Sequence, residues 1–455
     1  MNMCGIIGIS SDKDISKELY YGLYSLQHRG QESCGLAVLN EENNDINYHR
    51  GMGLVSDVLR KEELENLNGN VGIGHVRYST AGGSHVSNCQ PLAGVCRRRK
   101  LSIAHNGNLI NHDYLRETLE EEGFMFQTSI DSEVILYILS RYYKGNIVDS
   151  VKITMDYIKG AYSLVILSEE GLVAARDPYG FRPLVLGKKG DEYIVSSESA
   201  SIDILGGEVI RDIDPGEIVL INNGEVKSYN YKDNYKEKQK TCIFEHVYFA
   251  RNDAIIDGVN AYEFRVRSGQ ILAKEDDIKA DIVVPVPDSG IPGALGYSKE
   301  SKIPLKEGLV KNRYVGRTFI KPTQSEREIG VKLKLNPLTS VVSGKSIILI
   351  DDSIVRGTTS KILIDSLKKA GAKEVHLRIT SPPVKYSCYF GIDTPRRSQL
   401  IASKNSVEDI RKEIGADSLE FLSTDALMKA ANCENIFCMA CFDGKYPIKP
   451  MVEED

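Results

Sequence analysis

Two hydrophobic rhythms divide this chain. Up to about Tyr235, apolar and polar positions alternate in short runs bounded by turn residues: IIGIS, GLAVLN, VGIGHVRYST, LSIAHNG, AYSLVILS, LVAAR, LVLGKK, YIVSSES and EIVLIN. Such alternation predicts strands. Helical spacing is confined mainly to Lys17–Gln27, Tyr114–Glu122 and Asp131–Tyr143, so stacked antiparallel sheets with helices outside are expected. Ser228–Lys240, SYNYKDNYKEKQK, is polar and aperiodic and reads as an exposed connection. From Thr241 the rhythm changes. The strands DIVVPVP, SIILIDD and EVHLRIT alternate with helical patterns at Ala261–Lys274 and Ser360–Ala370, the signature of a parallel α/β sheet. After about Asn405, VEDIRKEIGADSLEFLSTDALMKAA reads as two short helices with a connection, the second capped at Ser423-Thr424-Asp425.

Composition narrows the function classes. The 455 residues leave room for two or three domains, and 42% hydrophobic and 26% charged residues suit a soluble globular enzyme. A net charge of -6 gives no basic excess for a nucleic-acid partner. No apolar run approaches bilayer length, and MNMCGIIGIS lacks a basic region and a small-residue cleavage site, so no membrane association and a cytoplasmic location are expected. Nine cysteines with one CxxC point to thiol chemistry or metal binding in a reducing compartment.

The densest chemistry lies in SIILIDDSIVRGTTS, Ser346–Ser360. An apolar strand ends on Asp351 and Asp352, and Ser353 with Arg356-Gly357-Thr358-Thr359 then opens a helix with unpaired N–H groups. That is an anion cradle beside an acidic pair, and one ligand carrying phosphate, sugar hydroxyls and a hydrated magnesium ion would use all of it. The ordinary alternative is a strand-to-helix turn capped by Asp352 or Ser353. DIVVPVPDSGIPGA, Asp281–Ala294, is a second strand ending in a tight turn. Lys311–Asn336 holds seven basic residues against two acidic, which suits a mobile lid over a polyanion; a solvated charged loop is the alternative.

At the other end, Cys4 precedes Gly5. If Met1, Asn2 and Met3 are removed, Cys4 gains an α-amine whose pKa of about 8 lets it serve as the thiol's own base. His28, His75 and His105 have no spacing that makes a metal site and read as core or supporting residues. Asp177–Pro183, DPYGFRP, reads as a structural turn.

DDSIVRGTT resembles the phosphoribosyl pyrophosphate loop of the phosphoribosyltransferases. Cys4, Arg29 in LQHRGQES, Arg77 in GHVRYSTAG, Asn106-Gly107 in HNGNL and Asp131 in SIDSE resemble the N-terminal-nucleophile glutamine amidotransferases. Together the halves resemble the amidophosphoribosyltransferases, in their iron-sulfur-containing branch, over nearly the whole chain. The resemblance implies a propeptide at 1–3, an αββα N-terminal-nucleophile amidotransferase domain at 4–235, a type I phosphoribosyltransferase domain at 241–404, and C-terminal helices with a cluster-binding segment at 405–455.

It also implies roles. Cys4 would attack glutamine, with Asn106 and the Gly107 N–H as oxyanion hole, Arg77 on the carboxylate and Asp131 on the ammonium. Taken singly, Arg77 could be a surface charge, Asp131 a helix N-cap and Asn106-Gly107 a hairpin turn. Asp351, Asp352, Ser353, Arg356, Gly357, Thr358, Thr359, Lys311 and Arg317 would bind phosphoribosyl pyrophosphate, with magnesium at Ser289, Asp351 and Asp352. A structural 4Fe-4S cluster would sit on Cys242, Cys388, Cys438 and Cys441, with Cys433 outside the pattern. Ammonia would cross an internal passage, for which Tyr248 and Phe249 are candidate lining residues, to give 5-phosphoribosylamine, the first step of de novo purine synthesis. A homotetramer inhibited by purine nucleotides is implied as well. Two rivals remain. A glutamine-fructose-6-phosphate transamidase would share the first half but needs sugar-isomerase repeats in place of DDSIVRGTT. A non-catalytic phosphoribosyl pyrophosphate sensor would need a DNA-binding module and a basic face.

Overall fold

The computed structural model describes residues 3–40, 45–78, 83–232, 236–312, 335–394, 396–433 and 436–451. In the first half a seven-stranded antiparallel sheet runs in spatial order Glu208–Asp212, Val185–Lys189, Glu192–Ser196, Gly5–Ser10, Val71–Arg77, Ser33–Asn40, Asp45–Met52. A six-stranded sheet packs on it, in order Glu225–Asn230, Glu217–Asn222, Gly171–Arg176, Gly160–Ser168, Arg99–Leu109, Leu92–Cys96. Ile6, Ile73, Val165, Leu172 and Val219 fill the space between them. Helix Ser16–Ser25 covers the outer face of the first sheet, and Asp131–Tyr142 with Ile147–Tyr157 that of the second. This is the αββα sandwich.

The pattern of the sequence misses four strands, Asp45–Met52, Leu92–Cys96, Glu208–Asp212 and Glu225–Asn230, and all four are sheet edges. Edge strands are partly solvated and carry polar residues, which erases the alternation. The stretch expected as an exposed connection from Ser228 therefore begins inside an edge strand.

The second half is built on a parallel sheet, Ile282–Pro285, Ser346–Asp351, Glu374–Ile379, Ser418–Phe421. Val283, Ile348 and Ile350 point to helices Ala261–Lys274 and Ile291–Ser301, while Val284, Ile347 and Leu349 point to Thr358–Lys369 and Val407–Ile414. Both faces are buried, so Ile282–Pro285 and Ser346–Asp351 read as unbroken apolar runs, whereas Glu374–Ile379 buries His376 and Arg378 between its apolar residues. The connection expected between the two C-terminal helices is itself a strand: Ser418–Phe421 pairs with Glu374–Ile379 and extends the parallel sheet. With only four residues, of which Leu419 alone is buried, it carries no legible period. Beyond it, Phe437–Cys438 returns to pair in parallel with Thr241–Cys242.

The halves meet closely. Phe181 of the DPYGFRP turn stacks on Phe390 with centroids 4.3 Å apart, Asn108 Nδ2 donates to the Tyr389 carbonyl at 3.0 Å, and Arg176 grips Asp257 through two bonds of 2.8 Å.

Candidate active site

Cys4 leads into strand Gly5–Ser10, and the pairing of Gly5 with Val76 lays it beside the end of the strand that carries Arg77. The thiol is buried and donates to the Tyr78 carbonyl at 3.5 Å. Burial pushes its pKa up, against smaller opposing pulls from the Tyr78 carbonyl contact and the Arg77 charge. The resting group is therefore a thiol, and attack needs a base. Gly30 permits the close approach here, since a Cβ on it would lie 2.7 Å from the Arg77 backbone nitrogen.

Asn106 and Gly107 are not on a turn. They lie within the eleven-residue strand Arg99–Leu109, opposite Ser163 and Tyr162, because the neighbouring strand Gly160–Ser168 pairs with the backbone straight through the Asn-Gly step. Asn106 is 1% exposed and its Nδ2 has no hydrogen-bond partner among the described residues. Gly107 has no room for a side chain: a Cβ would meet the Ala161 carbonyl oxygen at 2.0 Å.

Asp131 opens helix Asp131–Tyr142 but does not cap it. Its Oδ2 accepts from the Leu109 N–H at 2.9 Å and its Oδ1 lies 3.6 Å from His105 Nδ1. Burial opposes ionisation, yet His105 and the Leu109 N–H outweigh it and hold this carboxyl below the usual range. Arg77 is equally buried and pairs with Glu32 at 2.5 Å. Arg77, Asp131 and Glu32 all act electrostatically on the Cys4 thiol, so the structure brings Cys4, Arg77 and Asp131 together. Glu32, just before strand Ser33–Asn40, escaped sequence reasoning although it stands in LQHRGQES.

In the second half Asp351 ends the strand Ser346–Asp351, and both it and Asp352 are buried. Burial and then repulsion from Asp352 push Asp351 far above the carboxylate range. Burial also raises Asp352, against hydrogen bonds from Ser289 and Ser353 and the charge of Arg265. Ser353 Oγ donates to Asp352 Oδ1 at 2.5 Å. Two buried carboxyls that resist ionising side by side, with serine oxygens at hand, form a donor set that suits a hard divalent cation. Gly357 takes φ +74° just before helix Thr358–Lys369, and a Cβ there would lie 2.5 Å from Ile401 Cδ1. No side chain caps that helix among the described residues, which leaves the N–H groups of Thr358 and Thr359 for an anion. Lys311 pairs with Asp288 of the neighbouring turn, and Arg356 is exposed. Arg317 and most of the basic segment lie outside the described residues. Arg265, buried on helix Ala261–Lys274 and facing Asp352 electrostatically, had no distinguishing signal in the sequence.

The four predicted cysteines also converge. Cys242 stands opposite Cys438 in the parallel pair, and the Cys441 thiol is raised by burial and then by Cys242, Cys388 and Cys438. Burial pushes Cys242 up to about 12, with Arg182 pulling the other way. Cys433 responds to burial, Asp257 and Arg267. Among the described residues no three His, Cys, Asp or Glu side chains are placed to hold a single metal ion, and no helix is long and apolar enough to cross a membrane.

Comparison with known proteins agrees with this division. A glutamine amidotransferase domain model matches residues 75–203 and a phosphoribosyl transferase domain model residues 252–380. The chain is 52% identical to an amidophosphoribosyltransferase of Methanothermobacter thermautotrophicus, over 98% of this chain and 94% of that protein. It is 48% identical to one from Methanocaldococcus jannaschii, over 99% of each. Among solved structures, glutamine phosphoribosylpyrophosphate amidotransferase from Bacillus subtilis, complexed with ADP and GMP, superposes with a TM-score of 0.91 at 43% identity, covering 98% of this chain and 97% of that one. A structure described as the allosteric regulatory enzyme of purine biosynthesis gives 0.93 at 43% identity, covering 99% and 98%.

Proposed function

This chain belongs to the amidophosphoribosyltransferase family, and from that premise we propose which of its residues carry each half of the reaction. The enzyme hydrolyses glutamine and transfers the ammonia to phosphoribosyl pyrophosphate, giving 5-phosphoribosylamine, pyrophosphate and glutamate.

In our reading the amidase half acts once residues 1–3 are removed. The freed α-amine of Cys4 takes the thiol proton as sulfur attacks the amide carbon, and Asn106 Nδ2 with the Gly107 N–H receives the oxyanion. Collapse breaks the carbon–nitrogen bond, the amine returns its proton to the leaving nitrogen, and ammonia departs. Water then hydrolyses the thioester to glutamate. Arg77 pairs with the substrate carboxylate and Asp131 with its ammonium. The observation that carries this assignment is the buried Asn106 Nδ2, which has no hydrogen-bond partner among the described residues. Such a group costs about 1–3 kcal/mol, a penalty relieved when substrate oxygen arrives.

In the transferase half, Asp351 and Asp352 accept from the ribose hydroxyls, and the 353–359 turn cradles the 5-phosphate. Lys311 and Arg317 meet the pyrophosphate. Magnesium, held by Ser289, Asp351 and Asp352, would neutralise charge on the departing pyrophosphate. Ammonia reaches C1 past Tyr248 and Phe249, forms the carbon–nitrogen bond as the C1–oxygen bond breaks, and loses its extra proton to solvent.

The same reading assigns a structural 4Fe-4S cluster to Cys242, Cys388, Cys438 and Cys441. Burial and then neighbouring thiols, Cys388 among them, raise Cys242, Cys438 and Cys441, with Arg182 pulling the first two the other way, and in a cluster each thiolate would take a different iron, so the four need not meet at one point. Domains at 4–235, 241–404 and 405–455, a cytoplasmic homotetramer and feedback by purine nucleotides complete the proposal; the relative solved with ADP and GMP supports the last.

The test is intact mass together with 5-phosphoribosylamine formation from glutamine and, separately, from ammonia, for the parent and Cys4→Ala. The parent should lack residues 1–3 and use both donors, and the variant should use ammonia alone. A variant that still uses glutamine would overturn the assignment.

A further inference from the structure

A buried ionic knot lies behind the nucleophile, and one member of it comes from the other half of the chain. Arg29 Nε donates to the Cys4 carbonyl at 2.9 Å, while its Nη1 and Nη2 reach the two oxygens of Glu245 at 3.1 and 3.0 Å. Nη1 also meets Glu198 at 2.5 Å, and Glu198 accepts from His28 Nε2 at 2.8 Å. The side chains of Arg29, Glu198 and Glu245 are wholly buried. On its other side Glu245 lies 3.4 Å from Arg182 Nη1, and Arg182 Nε donates to the Phe390 carbonyl at 2.9 Å. The next residue, Gly391, packs its backbone on Gly107. One carboxylate thus braces both the nucleophile and the strand of the oxyanion donors.

Glu245 opens the short π-helix Glu245–Phe249. Arg265 ties down that helix by donating to the His246 and Ala250 carbonyls, each at 2.8 Å, and its charge faces Asp352. The segment therefore runs from the acidic pair of the transferase half to the amidase nucleophile. A buried guanidinium stays in place only while its partners are present.

We propose that Glu245 is a positioning residue for glutamine hydrolysis, the second half's contribution to the amidase site, holding Arg29 on the Cys4 carbonyl and Arg182 on the Phe390 carbonyl. This rests on Cys4 as the nucleophile. Arg77 and Asp131, which hold glutamine, are separate from the knot, so loss of Glu245 acts on the chemical step and leaves substrate affinity intact.

The experiment compares the parent, Glu245→Gln and Cys4→Ala as full-length holoenzymes. Glu245→Gln should lower kcat for glutamine hydrolysis about 100-fold, with KM for glutamine and ammonia-dependent synthesis within about twofold of the parent. A glutamine kcat within about threefold of the parent, or an equal loss with both donors, would overturn the proposal. If Glu245→Gln does not fold, Glu245→Asp keeps the charge one methylene back and should show an intermediate loss with glutamine alone; no loss, or equal loss with both donors, overturns it there. Glutamine hydrolysis by Cys4→Ala would instead refute the nucleophile, whatever Glu245 does.

Discussion

Gly391 lies with its backbone against that of Gly107: a Cβ built on Gly391 would come within 2.9 Å of the Gly107 carbonyl carbon. The contact joins the loop carrying Cys388 to the strand carrying Asn106 and Gly107, the proposed oxyanion donors, so that strand is shaped partly from the second half. Gly391 also has φ +95°, where a side chain costs about 1–3 kcal/mol. Gly391→Ala should lower the melting temperature by several degrees and reduce glutamine-dependent synthesis about tenfold or more, with a smaller effect on the ammonia-dependent rate. Paired assays and a melting curve check this.

Asn106→Ala removes the Nδ2 donor that has no partner among the described residues. Loss of one oxyanion donor lowers kcat by about 100- to 1,000-fold. Glutaminase kinetics should show that fall with KM little changed, because Arg77 and Asp131 stay in place. A rise in KM alone would mean that Asn106 binds the ground state.

Asp177 accepts from the Tyr162, Tyr179 and Phe181 N–H groups at 3.3, 2.9 and 3.0 Å, yet burial pushes its carboxyl up to about 6 from an ordinary 3.8. With the folded value raised, its contribution to stability is fully present below pH 3.8 and is lost as pH rises through about 6. Asp177→Asn mimics the protonated form. The melting temperature of the parent relative to the variant should therefore fall between about pH 4 and pH 7. A flat difference would contradict the burial argument.

Protein purified without oxygen should be coloured and contain iron and acid-labile sulfide in equal amounts. Cys438→Ser should lose both, with lower stability, since Cys438 faces Cys242 across the parallel pair. Cys433→Ser should keep them. Colourless, iron-free parent would refute the cluster.

Much of this site was legible because its chemistry is local in sequence. The acidic pair, Gly357 and the hydroxyls share one strand-to-helix turn, and the structure keeps them there. The amidase residues were legible only through resemblance, since Cys4, Asn106 and Asp131 are joined by sheet pairing and packing and by no spacing. The hairpin turn that Asn106-Gly107 offers as its alternative reflects the preference of that dipeptide in isolation, while pairing with Gly160–Ser168 holds it extended. Glu245 and Arg265 were invisible, because each matters through a partner far along the chain: Arg29 for one and Asp352 for the other. The edge strands and Ser418–Phe421 escaped because half-solvated or four-residue strands show no period.

The most direct test of the account is where the nitrogen travels. Glutamine labelled with 15N at its amide is supplied with excess unlabelled ammonium at neutral pH, and the label in trapped 5-phosphoribosylamine is measured. If Cys4 and the acidic pair work as one enclosed system, the product made at the glutamine-dependent rate carries the label despite the excess. Product whose label matches the bulk ammonia pool would contradict it, and the two halves would be separate enzymes sharing a chain.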